Sequence, residues 1–180
     1  MTASAAEDLR FPVGKFHRPK GPLSLEERAK HIDTIAASPR HLADAVKGLN
    51  EKQLDTPYRP GGWTVRQVVH HIPDSHLNAY TRAKLALTED KPTIKPYDEN
   101  GWAGLIDSKV TPVEVSLTLN TALHDRWVRL LRTLTPADCA REMIHPEHGP
   151  ITIDFIIALY SWHGPHHVAH ITALRKREGW

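Results

Sequence analysis

Four times along this 180-residue chain a helix-starting signal precedes apolar residues spaced three and four apart, and no strong strand-like run competes with them. Ser24 and Glu27 have capping-box spacing, followed by Ala29, Ile32, Ile35, Leu42, Ala45 and Leu49. Thr64 and Gln67 repeat the spacing ahead of Val65, Val68, Val69, Ile72, Leu77, Ala83 and Leu87. Thr111-Pro112 places a capping residue before a proline at the first helical position, and Thr152 precedes Phe155, Ile156, Leu159 and Tyr160. These signals predict helices over about 25–48, from Val65 through Leu87, from Pro112 to Leu131, and from Thr152 toward Gly179. Each has an apolar stripe to bury, so the expected fold class is all-α: a four-helix bundle with an extended N-terminal arm and long inter-helix loops. The arm covers 1–23, where Pro12, Gly14, Pro19, Gly21 and Pro22 interrupt any helical period, and residues 24–180 form a single domain.

The connections carry their own expectations. Residues 88–111 contain Pro92, Pro96, Gly101 and Gly104 with Tyr97 and Trp102 between them, a length that suits a lid or a dimer surface better than a passive link. Thr135-Pro136 starts a short helix ending near Ala140, and 141–151 reads as a loop or small hairpin. Pro39 and Pro73 fall inside helical patterns, where proline removes an N–H and crowds the carbonyl four residues back. A bend in the first helix and a kink in the second are expected there.

Composition narrows the partners. A formal charge of +2 from 23 basic and 21 acidic residues, scattered rather than striped, argues against nucleic acid. No apolar run approaches the roughly 18 residues of a bilayer span, and Met1–Arg10 lacks the layout of a secretory signal. Cys139 is the only cysteine, which suits a reducing compartment; together these predict a cytoplasmic chain with no membrane partner.

The chemistry lies in the histidines. Of 13 in the chain, His70, His71 and His76 fall in one short stretch and His163, His166, His167 and His170 in another. His163 and His167 stand at i, i+4, one turn apart on the apolar face of the last helix with Ile156, Tyr160 and Leu174. His166 is rotated roughly 60° to 100° from most of that set and is expected at the rim or in solvent. Two core-facing imidazoles opposite a second histidine cluster fit a Zn- or Ni-type divalent ion. On the second helix periodicity alone favours His76 as the third ligand, while the proline leaves the wheel unreliable across residue 73. His76, His166, His170, Asp74 and Ser75 are candidates to orient a ligand or move a proton, and Arg66 and Arg82 to hold an anionic substrate or cofactor. Trp63, Trp102, Trp127 and Trp162 read as core, and Cys139 as inert packing.

Trp63-Thr64-Val65-Arg66-Gln67-Val68-Val69-His70-His71 and Trp162-His163-Gly164-Pro165-His166-His167 resemble the DinB superfamily of metal-binding four-helix bundles, and its YfiT-like branch more closely. The likeness extends to Phe11-Pro12-Val13-Gly14-Lys15, Asp55-Thr56-Pro57-Tyr58-Arg59, Asp74-Ser75-His76, Pro96-Tyr97-Asp98 and Arg177-Glu178-Gly179-Trp180. Pro73 and Pro165 depart from the branch's usual pattern. The resemblance implies His71, eight positions after Trp63, as the third ligand beside His163 and His167. Three protein ligands leave a position open for water or substrate, as in catalytic sites. The resemblance further implies a homodimer and a metal-dependent enzyme acting on a small electrophile or hydrolysable substrate, as a hydrolase or as an S-transferase using bacillithiol or a related low-molecular-weight thiol. A non-catalytic bundle with a structural ion is the alternative.

Overall fold

A computed structural model describes residues 8–180; the first seven positions of the predicted arm lie outside the described residues. Four long helices carry the fold, α1 (Leu25–Val46), α3 (Val65–Thr88), α6 (Val113–Leu131) and α8 (Ile153–Glu178). Four short ones lie between them, α2 (Glu51–Leu54), α4 (Glu99–Ala103), α5 (Asp107–Val110) and α7 (Pro136–Cys139). The antiparallel hairpin β1 (Glu142–His145) and β2 (Gly149–Thr152) precedes α8.

The capping chemistry acts as the sequence predicts at α1 and α3. In both boxes the cap hydroxyl accepts a backbone N–H, and the Glu27 or Gln67 side chain returns a bond to the cap's own N–H. Gly179 closes α8 at φ 73°, a left-handed position that costs a glycine little. The start of α6 differs by one residue: Thr111 ends α5, and Pro112 precedes α6 with no side-chain cap bond. The 88–111 connection contains α4 and α5, the former capped by Asp98 accepting from the Gly101 N–H. The helices continue through Pro39, Pro73 and Pro165.

Packing joins α1 to α8 and α6, and α3 to α6 and α8, giving the ring order α1–α8–α3–α6. Successive long helices α1 and α3 therefore stand across the diagonal, while α3 and α8, which carry the two histidine clusters, are neighbours. One apolar cluster contains Ile35, Ala79, Trp127, Leu131, Ile156 and Tyr160, and a second contains Leu42, Val65, Val69, Ile72, Ile171 and Leu174. Between the sequence positions these clusters draw from each long helix fall buried polar groups: Ser38, Ser75, His76, Asn120, His124 and His167. Ser75, His76 and His124 find partners there, whereas Ser38 Oγ, both Asn120 amide atoms and His167 Nδ1 have none among the described residues.

The arm lies along α8. Phe16 meets Phe155 edge-on at 5.7 Å and Trp162 at 5.9 Å, and the Trp162 indole N–H donates to the Gly14 carbonyl. Where the arm turns into α1, buried Asp154 accepts from Arg28 at 2.8 and 3.0 Å and from the Leu23 N–H at 3.0 Å.

Candidate metal centre

Adjacent packing of α3 and α8 brings His71 against His163 and His167. One ring nitrogen from each of the three lies within 4.8 Å of the other two, and His71 Nε2 stands 3.3 Å from His163 Nε2. Two nitrogens bound to one tetrahedral ion at about 2.0–2.1 Å would stand about 3.3–3.4 Å apart, so this pair fits a shared ion. Burial drives the pKa of His71 down to about 3 and those of His163 and His167 well below the usual imidazole value, leaving the neutral ring that ligation needs. His167 Nδ1 is buried without a hydrogen-bond partner among the described residues.

The surroundings are asymmetric. Trp63 lies 4.6 Å from His71 and nearly parallel to His167 at 6.3 Å, covering one side, and its indole N–H donates to Asn100 of α4. The sequence expectation of a core tryptophan holds for Trp127, fully buried, whereas Trp102 is 40 % exposed. On another side His163 lines a cleft of about 570 Å³ shared with Ser75, Tyr97, Tyr160 and Phe155. A separate hollow of about 590 Å³ between α1 and α6 reaches His124 and none of the three ligands.

The remaining histidines have distinct places. His76, favoured by periodicity alone, is fully buried behind His163, its Nε2 at 3.1 Å from His163 Nδ1. Being nearer the centre of the apolar face turns it toward α6, whereas His71, on the flank, meets α8. His70 is tied to Ser116 and the Thr111 carbonyl. His166 is buried, contrary to the expectation of rim or solvent, because Trp162 stacks on it at 4.3 Å and Phe11 of the arm lies 6.1 Å away. The helical wheel has no knowledge of that arm. His170 donates to the Arg10 carbonyl and stacks on Tyr58 at 4.0 Å, and one ring nitrogen from each of His166, His167 and His170 lies within 4.8 Å of the other two, a second cluster that shares His167.

Ser75 Oγ lies 3.2 Å from the Tyr160 hydroxyl and 3.5 Å from His163 Nε2. The Asp74 carboxyl is raised to about 6 by burial and by the charge of Asp107. Arg66 is buried in ion pairs with Glu51 and Asp55 at 2.5 and 2.7 Å, which commits its guanidinium to the α2–α3 junction. Arg82 lines the cleft and donates to the Lys95 carbonyl. Cys139 is buried, its thiol pushed up to about 11 by that burial. Sequence reasoning passed over His124, behind His76, and the hairpin residues His145, Glu147 and His148, the latter three lining the cleft. The signal for His124 was a histidine within the apolar face of Leu123, Trp127 and Leu131; the hairpin trio had none, since only the fold carries it to the cleft.

The sequence pattern of the DinB superfamily matches residues 34–171, from within α1 to within α8 and across all three ligand positions. The chain belongs to the DinB superfamily. Among similar proteins, one from Bacillus mycoides (strain KBAB4) is 55 % identical over 174 residues, covering 97 % of this chain and 99 % of its own, and is named "putative metal-dependent hydrolase". One of the same name from Bacillus cereus (strain B4264) is 55 % identical over 173 residues, covering 96 % and 99 %. A solved structure, described as "YfiT from Bacillus subtilis is a probable metal-dependent hydrolase with an unusual four-helix bundle topology", aligns with a TM-score of 0.93 at 48 % identity, covering 96 % of this chain and 98 % of that one. In this DinB member the diagonal placement of α1 and α3 departs from a simple up-and-down bundle.

Proposed function

We propose that the protein is a metal-dependent enzyme in which His71, His163 and His167 hold one Zn- or Ni-type ion beside the cleft, acting on a small organic substrate. The observation that carries this reading is the convergence of three neutral imidazoles from two helices next to an open cleft; no fourth residue joins that group among the described residues, although His166 and His170 form a second group with His167. Bound there, such an ion lowers the pKa of water or a thiol and polarises an electrophile. The chain supplies the rest. Trp63 shields one side of the ligands from water, and Phe16, Phe155 and Leu159 offer an apolar wall for a hydrocarbon or aromatic body. The Tyr97 hydroxyl, buried without a partner among the described residues, can donate to a substrate oxygen, and Arg82 can meet an anionic group.

Two nucleophiles suit this site. Hydrolysis, the chemistry in the relatives' names, adds water across the cleaved bond. Thiol transfer, carried by the YfiT-like resemblance, forms a carbon–sulfur bond to the electrophile, expels its leaving group and releases the thiol proton. The test is to give zinc- or nickel-loaded protein a panel of esters and amides, and separately a chlorinated aromatic electrophile with bacillithiol. Cleavage or thioether formation above that of a His71→Ala variant is expected. Equal rates from both proteins across the panel would leave the ion with a structural role only. A cytoplasmic homodimer is the proposed form; the exposed apolar residues Ile106, Val110 and Val115 support self-association, and light scattering reporting one chain's mass would overturn it.

A further inference from the structure

A chain of three histidines runs inward from the centre and ends on a backbone carbonyl. His163 Nδ1 lies 3.1 Å from His76 Nε2, His76 Nδ1 lies 2.8 Å from His124 Nε2, and His124 Nδ1 lies 2.8 Å from the Ile35 carbonyl oxygen. That carbonyl is available because of the sequence of α1: the residue four positions on is Pro39, which has no N–H to give it.

A carbonyl only accepts, so His124 must carry its hydrogen on Nδ1. His76 and His124 are buried, and their partners are other imidazoles and a carbonyl with no carboxylate to offset a charge, so each ring is neutral and has one hydrogen. His124 Nε2 is then an acceptor and His76 Nδ1 the donor to it. His76 Nε2 becomes an acceptor in turn, and His163 Nδ1 must donate. The sole hydrogen of His163 is thereby spent on the inner side of its ring, and Nε2, the atom 3.3 Å from His71 Nε2, is left bare.

We propose that His124, acting through His76, is a positioning residue for the metal centre: the Ile35 carbonyl sets the tautomer of three rings in succession, so that His163 always presents an unprotonated Nε2. The proposal rests on the three-histidine metal reading above. No ring changes charge in it; what is fixed is which nitrogen holds the hydrogen and how the His163 ring is turned. Partners of this kind commonly change metal affinity by 10–100-fold when removed.

Two measurements test it. Nitrogen-15 NMR of the labelled, metal-free protein near neutral pH should find His76, His124 and His163 all with hydrogen on Nδ1, the less common form of a free imidazole. Hydrogen on Nε2 of His76 or His163 overturns the proposal whatever the metal does. Competition with a chromophoric chelator then gives zinc affinity for the wild type, His124→Phe, His124→Gln and His163→Ala, with circular dichroism confirming folding. Expected is 10–100-fold weaker binding for His124→Phe, and recovery to within a few-fold for His124→Gln, whose amide oxygen can still accept from His76. A folded His124→Phe that binds as tightly as wild type sinks the positioning role and leaves the centre standing. A wild type no tighter than His163→Ala sinks the metal reading and this role with it. If His124→Phe does not fold, the NMR tautomers of the wild type decide.

Discussion

His163 is held at Nδ1 by His76 and flanked at Nε2 by His71 and Ser75, so its loss is felt locally. His163→Ala should abolish stoichiometric zinc or nickel binding with helicity largely retained, and unchanged metal content by elemental analysis would count against the ligand assignment. The next residue reports on helix approach. A Cβ on Gly164 would stand 2.6 Å from Ser38 Oγ and 3.3 Å from Ser38 Cβ. Overpacking of this kind costs about 1–3 kcal/mol, partly offset by the ~1 kcal/mol that alanine gains over glycine inside a helix. Gly164→Ala should therefore lower stability in urea by about 1 kcal/mol. Ser38→Ala in the same chain should restore most of it, since Ser38 Oγ has no hydrogen-bond partner to lose among the described residues.

At the scale of elements, α8 departs most from a surface helix. The arm, α1 and α3 enclose it, and Ile153, Ile156, Ile157, His166, His167 and Ile171 are buried on faces that point in several directions. One ion pair anchors its first turn: Asp154 with Arg28, both side chains about 5 % exposed. Removing one partner leaves the other charge buried and uncompensated, which costs about 3–5 kcal/mol. Asp154→Ala should show a loss of that size in chemical denaturation, with the Leu23 N–H also left without its acceptor. A loss under 1 kcal/mol would mean that the arm and α1 shift to rehydrate Arg28.

For the molecule as a whole the buried histidines set an acid limit. The folded pKa values of His71, His124, His166 and His170 lie near 3 to 4, below the usual imidazole value of 6.5. Above about pH 6.5 these rings are neutral folded or unfolded and add no pH dependence. Below it the unfolded chain takes up protons that the native fold refuses, so stability falls by about 1.4 kcal/mol per pH unit for each such ring, until the folded pKa is passed. The metal-free protein should lose thermal stability steeply between pH 6.5 and 4, and bound zinc should move the onset to lower pH. A flat melting temperature across that range would contradict the neutral buried cluster.

How much of this was legible in the chain depends on the range of the interaction. Ser24, Thr64 and Thr152 mark helix starts because capping is settled within four residues, and His163 with His167 share a face because helical pitch is fixed. The superfamily's motifs name His71, although its helical period alone favoured His76. Which helices are neighbours, and hence that His71 meets α8 while His76 turns to His124, came from the diagonal placement of α1 and α3, a balance of many side-chain contacts across the core that no local spacing encodes. The burial of His166 beneath the arm, the employment of Arg66 by Glu51 and Asp55, and the use of the carbonyl freed by Pro39 belong to the same class. Helices, their caps and the stock of imidazoles follow from residues a few positions apart in the chain; which ring nitrogens face one another emerges only on packing, because it depends on the distance between helices far apart in the chain.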